Sequence, residues 1–145
     1  MGVSGVGYEG QSIDSFVALL RIRGVQTLVD VRLNAISRKR GFAKRALGSA
    51  LQEAGIAYLH RPVLGNYRDN RPGYAELDTL AAKEARARYR EALETADAVA
   101  CIRELAALAN EQEIALLCFE ADERHCHREQ TLEAVRRAMS RLVRA

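Results

Sequence analysis

Ile114-Ala115-Leu116-Leu117-Cys118-Phe119 is an unbroken apolar run between polar neighbours, and it is the strongest strand in the chain. A run without polar alternation suits a strand covered on both faces, as in a parallel sheet flanked by helices. Upstream, Val25 to Val31 supplies a second run of this kind around Leu28 and Val29. Ile56 to His60 gives a third, and the glycine-punctuated Gly2 to Gly7 a weaker fourth. Helical periods fill the gaps. Ser12 offers an N-cap before Ile13, Phe16, Val17 and Leu20, and Gly24 stops that helix. Ala43, Ala46, Leu47, Ala50, Leu51 and Ala54 share one stripe that ends at Gly55. The spacing predicts a helix from about Tyr74 to Glu94 and another after a cap at Asp97, with Ala98, Ile102, Leu105 and Ala109 inward. Leu132, Val135, Met139 and Leu142 mark the last. The order β-α-β-α-β-α-α-β-α predicts an α/β fold: three layers, a mainly parallel sheet of about four strands with helices on both faces, and ligands near the carboxyl ends of the strands. Without repeats, low-complexity tracts or linkers, residues 1–145 read as one domain.

Composition sets outer bounds. A chain of 145 residues, 48% apolar and 28% charged, can bury one core without disulfides. No long uncharged apolar run and no signal-peptide pattern occurs, so the expected location is the cytoplasm, with no membrane partner. Cys101, Cys118 and Cys126 are odd in number and scattered, which describes reduced thiols, and Cys101 beside a helix face reads as a small buried hydrophobe. The net charge of +3 conceals an asymmetry: residues 32 to 71 hold nine Lys or Arg against Glu53 and Asp69, while the flanks are net acidic. Such a basic segment can draw phosphate, nucleotide or nucleic acid, and Arg is equally a solubilising residue.

Two strand ends carry ionisable groups. Asp30-Val31-Arg32 puts an acid and a guanidinium on one side of a strand, as a structural ion pair or as part of a site. The segment Cys118 to Arg128 gathers Cys118, Glu120, Asp122, Glu123, Arg124, His125, Cys126, His127 and Arg128. As a metal site it has suitable donors. Adjacent residues do not readily converge on one ion, however, and no CxxC or HxxxH pair is present, so no metal is expected. As a phosphatase-type loop it has the Cys118-x5-Arg124 spacing, but three carboxylates would repel the phosphate. In a third reading Cys126, His127 and Arg128 open the last helix. Free amides there would lower the Cys126 pKa, His127 would carry a proton and Arg128 would fork an anion; the alternative is a buried, inert Cys126.

A set of short motifs runs along the chain: Val6-Gly7-Tyr8-Glu9-Gly10, Leu28-Val29-Asp30-Val31-Arg32, Ser37-Arg38 with Gly41-Phe42, and Ala54-Gly55-Ile56-Ala57-Tyr58 leading to His60 and Pro62. Leu64-Gly65, Gly73-Tyr74, and Leu117-Cys118-Phe119-Glu120 leading to Cys126-His127-Arg128 complete it. In this order the set resembles the bacterial and archaeal family catalogued as a domain of unknown function, number 488. The resemblance implies a Rossmann-like α/β sandwich without an established activity. It further implies a cleft formed by Tyr8, Asp30, Arg32, Ser37, Arg38, His60, Tyr74, Cys118, Glu120, Cys126, His127 and Arg128. This chain departs from the pattern at Asn66, where relatives usually have a second glycine, and at Arg124-His125, where many have a proline. Many relatives also continue into a C-terminal strand, so the sheet is expected to be one strand shorter or completed by a partner.

Three functions fit. The leading one is an enzyme or ligand-binding domain for a small anionic or nucleotide-like molecule, gripped by Arg32, Arg38 and Arg128, with Asp30, His60 and Glu120 as acid/base groups. The long loop Arg61 to Gly73, which holds both prolines, suits binding. The second is a nucleic-acid-binding module using residues 38–45, with Phe42 stacking on a base. The third is rhodanese-like sulfur transfer through a cysteine, with Leu28 to Arg32 as the similar strand. None of these readings names a cofactor.

Overall fold

The computed structural model describes residues 2–144; residues 1 and 145 of the expected domain lie outside them. Strands β1 (Gly2–Gly7), β2 (Thr27–Asp30), β3 (Ala57–His60) and β4 (Glu113–Cys118) form one sheet in the order β1-β4-β2-β3, with every pairing parallel. The last strand in sequence therefore enters between the first two. This places the two ionisable strand ends side by side: Asp30 is in register with Leu117, and the Val31 amide donates to the Leu117 carbonyl at 3.1 Å.

Strand alternation distributes the side chains into two cores. Leu28, Ala115 and Leu117 point toward α1 (Ile13–Ile22) and α2 (Lys44–Glu53), meeting Phe16, Leu20, Leu47 and Leu51. Val29, Ile114 and Leu116 point the other way, into a larger cluster built by α3 (Leu80–Ala92), α4 (Ala96–Glu111) and α5 (Arg128–Arg144). The result is the expected three-layer α/β arrangement, with apolar burial on both faces as its main stabilising contribution. No described helix is long and apolar enough to cross a membrane.

Two helix starts differ from the sequence expectation. The helix predicted from about Tyr74 begins only at Leu80. Arg68–Ala75 is a 3-10 stretch containing Pro72, the chain is extended at Glu76, and the Thr79 hydroxyl then caps the helix by accepting the Ala82 amide. The cap of α4 is Thr95, accepting from the Ala98 amide, so Asp97 lies inside the first turn. Ser12 caps α1 as expected. Gly65 has a consequence for the site: a Cβ there would overlap the backbone of Leu33. Its absence lets the 61–73 loop lie against the chain leaving β2, bringing Asn66 alongside.

Candidate functional site

The end of β2 is closed. Both Asp30 oxygens accept from Arg32, Oδ1 from Nε at 2.9 Å and Oδ2 from Nη2 at 2.6 Å. Oδ1 also accepts the Arg32 amide, and Oδ2 the Tyr58 hydroxyl at 2.6 Å. Arg32 spends Nη1 on the Phe42 carbonyl and the Tyr8 hydroxyl. Burial works against the Arg32 charge, but the bonds to Asp30 outweigh it and hold the pKa above its ordinary value. Burial and Asp30 likewise push the Tyr58 phenol up. The pair is a buried strut in which Asp30 accepts four hydrogen bonds, which leaves it no free lone pair with which to take a proton from a substrate.

The end of β4 is different. Cys118 is its last residue, and α5 begins so close by that Cys126 and His127, just before it, fold back onto Cys118. His127 Nδ1 lies 3.6 Å from Cys126 Sγ and 3.9 Å from Cys118 Sγ, and the three donor atoms all fall within 4.8 Å of one another. On the far side of the ring, Nε2 lies 2.9 Å from the Val31 carbonyl, which can only accept, so Nε2 carries a proton and Nδ1 is directed at the sulfurs. The expectation that neighbouring residues 126 and 127 would not converge is thus not met.

The electrostatics divide the two thiols. Cys118 is held well below the usual thiol range, first by the bond from Cys126 and, against the cost of burial, by His127. Cys126 is driven well above it by burial and by Cys118. Burial opposes charge on His127, yet its bond and charge interaction with Cys118 raise its pKa. The directions oppose one another: ionisation is favoured at Cys118 and disfavoured at Cys126, and His127 is favoured as the proton holder beside Cys118. Of the two readings of Cys126, an activated thiol or a buried inert one, its upward shift agrees with the second. The Arg128 amide does reach Cys126 Sγ at 3.4 Å, but the next amides bond the carbonyls of Cys126 and His127 rather than an incoming anion. Glu120, raised first by burial and then by Cys118, completes the group; its Oε2 is buried and has no hydrogen-bond partner among the described residues.

These groups form one wall of a cleft of about 140 Å³, faced by Tyr8, Asn66, Arg71 and Tyr74. Of the residues expected there, Tyr8, Arg32, Tyr74, Cys118, Glu120, Cys126 and His127 line it; Asp30, Ser37, Arg38, His60 and Arg128 do not. His60 Nε2 bonds the Arg32 carbonyl at 2.8 Å, and Ser37 Oγ accepts the Lys39 amide within a turn. Arg38 is exposed. Arg128 runs beneath β1, donating Nη1 to the Val6 carbonyl and lying 3.7 Å from Glu123. Arg32 borders the cleft but commits four of its five side-chain N–H groups to Asp30, Tyr8 and Phe42, so the grip expected of Arg32, Arg38 and Arg128 is not assembled. Phe42 is fully buried, stacked on Tyr8 and edge-on to Phe16, which removes it as a base-stacking platform.

Arg71 and Asn66 take their place. Arg71 is exposed on the rim with Nε 3.4 Å from the Asn66 carbonyl. The sequence signal for both was the proline-containing loop that holds them. A larger groove, about 440 Å³ between α3, α4 and α5, mixes arginines with Glu94 and Glu133 over Leu93 and Ile102 and contains no thiol or histidine. Volume favours that groove; convergent ionisable groups favour the smaller cleft, and chemistry follows the latter.

Among known proteins, the model of a family described as a domain of unknown function, DUF488, matches residues 12–135. No curated protein and no solved structure matches the chain.

Proposed function

The chain belongs to the DUF488 family, and on that premise we propose that it is an enzyme acting on a small anionic molecule held in the cleft between the ends of β2 and β4. The supporting observation is the meeting of Cys118, Cys126, His127 and Glu120 on the wall of an open cleft whose opposite rim carries Arg71. Arg71 supplies the charge that recruits the anion, while Tyr8, Asn66 and Tyr74 shape the space. The Cys118–His127 pair provides a charged, water-poor surface at which a proton can be moved, with Glu120 as the adjacent acid or base. The size of the cleft restricts the guest to a few heavy atoms, phosphate-like or carboxylate-like, rather than a whole nucleotide.

Titration with inorganic phosphate, followed by chemical shifts of Tyr8, Asn66 and Tyr74, tests this reading. Saturable shifts are expected, weakened about tenfold or more in Arg71→Gln, since a charge-assisted hydrogen bond contributes about 1.5–3 kcal/mol. No saturable shift with phosphate or acetate would remove the proposal. A nucleic-acid role would rest on the exposed Arg38 and Arg40 without an aromatic platform, and sulfur transfer on Cys118 at the end of a strand rather than within a loop of amides. Both are less well supported.

A further inference from the structure

We propose that Cys118, Cys126 and His127 form a three-donor site for a zinc-class divalent ion, with the fourth coordination position open to the cleft beside Glu120. Three observations carry this. The first is distance. Tetrahedral coordination with Zn–S near 2.3 Å and Zn–N near 2.0–2.1 Å requires S···N edges of about 3.5 Å. The two found here are 3.6 and 3.9 Å, and all three donor atoms lie within 4.8 Å of one another, so the donors are already gathered and the ion needs a contraction of at most about 1 Å along the S···S edge.

The second is orientation. A ligating imidazole generally donates its other N–H to a carbonyl or carboxylate, which fixes tautomer and ring plane. The Val31 carbonyl does this for His127, so that Nδ1, once its proton is released to an incoming ion, presents its lone pair to the space shared with both sulfurs. The third is an acceptor with capacity left: Glu120 Oε2 is buried at the same cluster with no hydrogen bond of good geometry, its carboxyl interacting only with the weak donors Cys118 and Cys126. Water on the open position of the ion would donate to it.

Charge balance supports the same occupant. In its metal-free form the cluster of two thiols and an imidazole is neutral overall, wherever the proton of Cys118 resides. Binding a divalent ion releases two protons, leaving two thiolates, a neutral imidazole and the ion, again with zero net charge. A buried site can accept that exchange without an isolated charge. Two soft sulfurs and one imidazole select zinc-like ions over magnesium or calcium. The inference deepens the proposed function by giving its centre a metal, yet metal binding is read out separately from anion binding.

The test uses the full chain, reduced and stripped with a chelator, then titrated with cobalt(II) alone as a spectroscopic probe. One equivalent should produce sulfur-to-metal charge-transfer and tetrahedral d–d bands, which zinc then displaces. In the unmodified chain, one equivalent of zinc should protect Cys118 and Cys126 from iodoacetamide while Cys101 is unaffected. Cys118→Ser and Cys126→Ser should each weaken binding by at least about 100-fold, beyond the roughly 10–100-fold of losing an outer-shell partner. Cys101→Ser should leave it unchanged. Absence of a charge-transfer band in the unmodified chain, or zinc that gives Cys118 no protection, overturns the proposal even if no variant folds. Phosphate shifts without cobalt bands would retain the anion cleft and discard the metal; cobalt bands without phosphate shifts would do the reverse.

Discussion

The ends of β2 and β4 are neighbours in one sheet, and they use buried ionisable groups in opposite ways. Asp30 accepts four hydrogen bonds, and Arg32 directs each of its side-chain nitrogens to a partner. One strand over, two sulfurs and an imidazole face one another at 3.6 and 3.9 Å and Glu120 keeps an unpaired oxygen. Burial is comparable, so burial does not distinguish a strut from a reactive centre. Saturation does: a group whose lone pairs and protons are all spent stabilises the fold, and a group with capacity left over can bind something else.

The contrast can be broken by substitution. Asp30→Asn strands the Arg32 charge and should cost about 3–5 kcal/mol in urea denaturation; an unchanged midpoint would mean that the strut carries no stability. The next largest effect is in reactivity. Depressed, Cys118 stays ionised as pH falls through the range where ordinary thiols take up a proton, whereas burial pushes Cys101 up to about 11. In metal-free protein at pH 7 iodoacetamide should label Cys118 at least about 100-fold faster than Cys101, the lower nucleophilicity of a low-pKa thiolate offsetting part of a larger ionisation difference. Equal rates would place both in one class. Tyr58→Phe, which removes one bond from Asp30, should cost about 2 kcal/mol in the same denaturation series. His127→Gln withdraws a cation from Cys118 and should move the onset of its labelling to higher pH, with a faster plateau because a less acidic thiolate is the better nucleophile; an unmoved profile would mean that His127 does not act on the thiol. Smallest of all, Arg38→Ser on the exposed loop should change stability by less than about 0.5 kcal/mol and leave phosphate binding as it was; a clear loss of phosphate affinity would return Arg38 to the site.

The elements were largely legible because each strand is a short apolar run and each helix has a stripe and a boundary residue: Ser12, Gly24 and Gly55 stand where the periodicity places them. Strand order was not, since nothing local tells β4 to enter between β1 and β2. The helix expected at Tyr74 failed because residues 68–75 form a 3-10 stretch around Pro72 and the chain is extended at Glu76, so the helix starts only after the Thr79 cap. The site was half legible. Clustering of Cys118, Cys126 and His127 in sequence signalled chemistry, but the orientation of the His127 ring toward the sulfurs depends on the carbonyl of Val31, nearly a hundred positions away. Arginine was the least readable residue. Arg32, Arg38, Arg71 and Arg128 look alike in sequence, yet one is a strut, one is solvated, one borders the cleft and one props β1. Only their surroundings separate them.

The hydrogen bond from His127 Nε2 to the Val31 carbonyl ties residues remote in sequence, across a strand order that closes only when β4 arrives. A full chain in which β4 has not yet inserted between β1 and β2 lacks this bond, so the meeting of Cys118, Cys126 and His127 comes into being only with the finished sheet. The depressed pKa of Cys118 is in this sense a mark of completed folding, which the ordinary, exposed thiols of an unfolded copy do not carry.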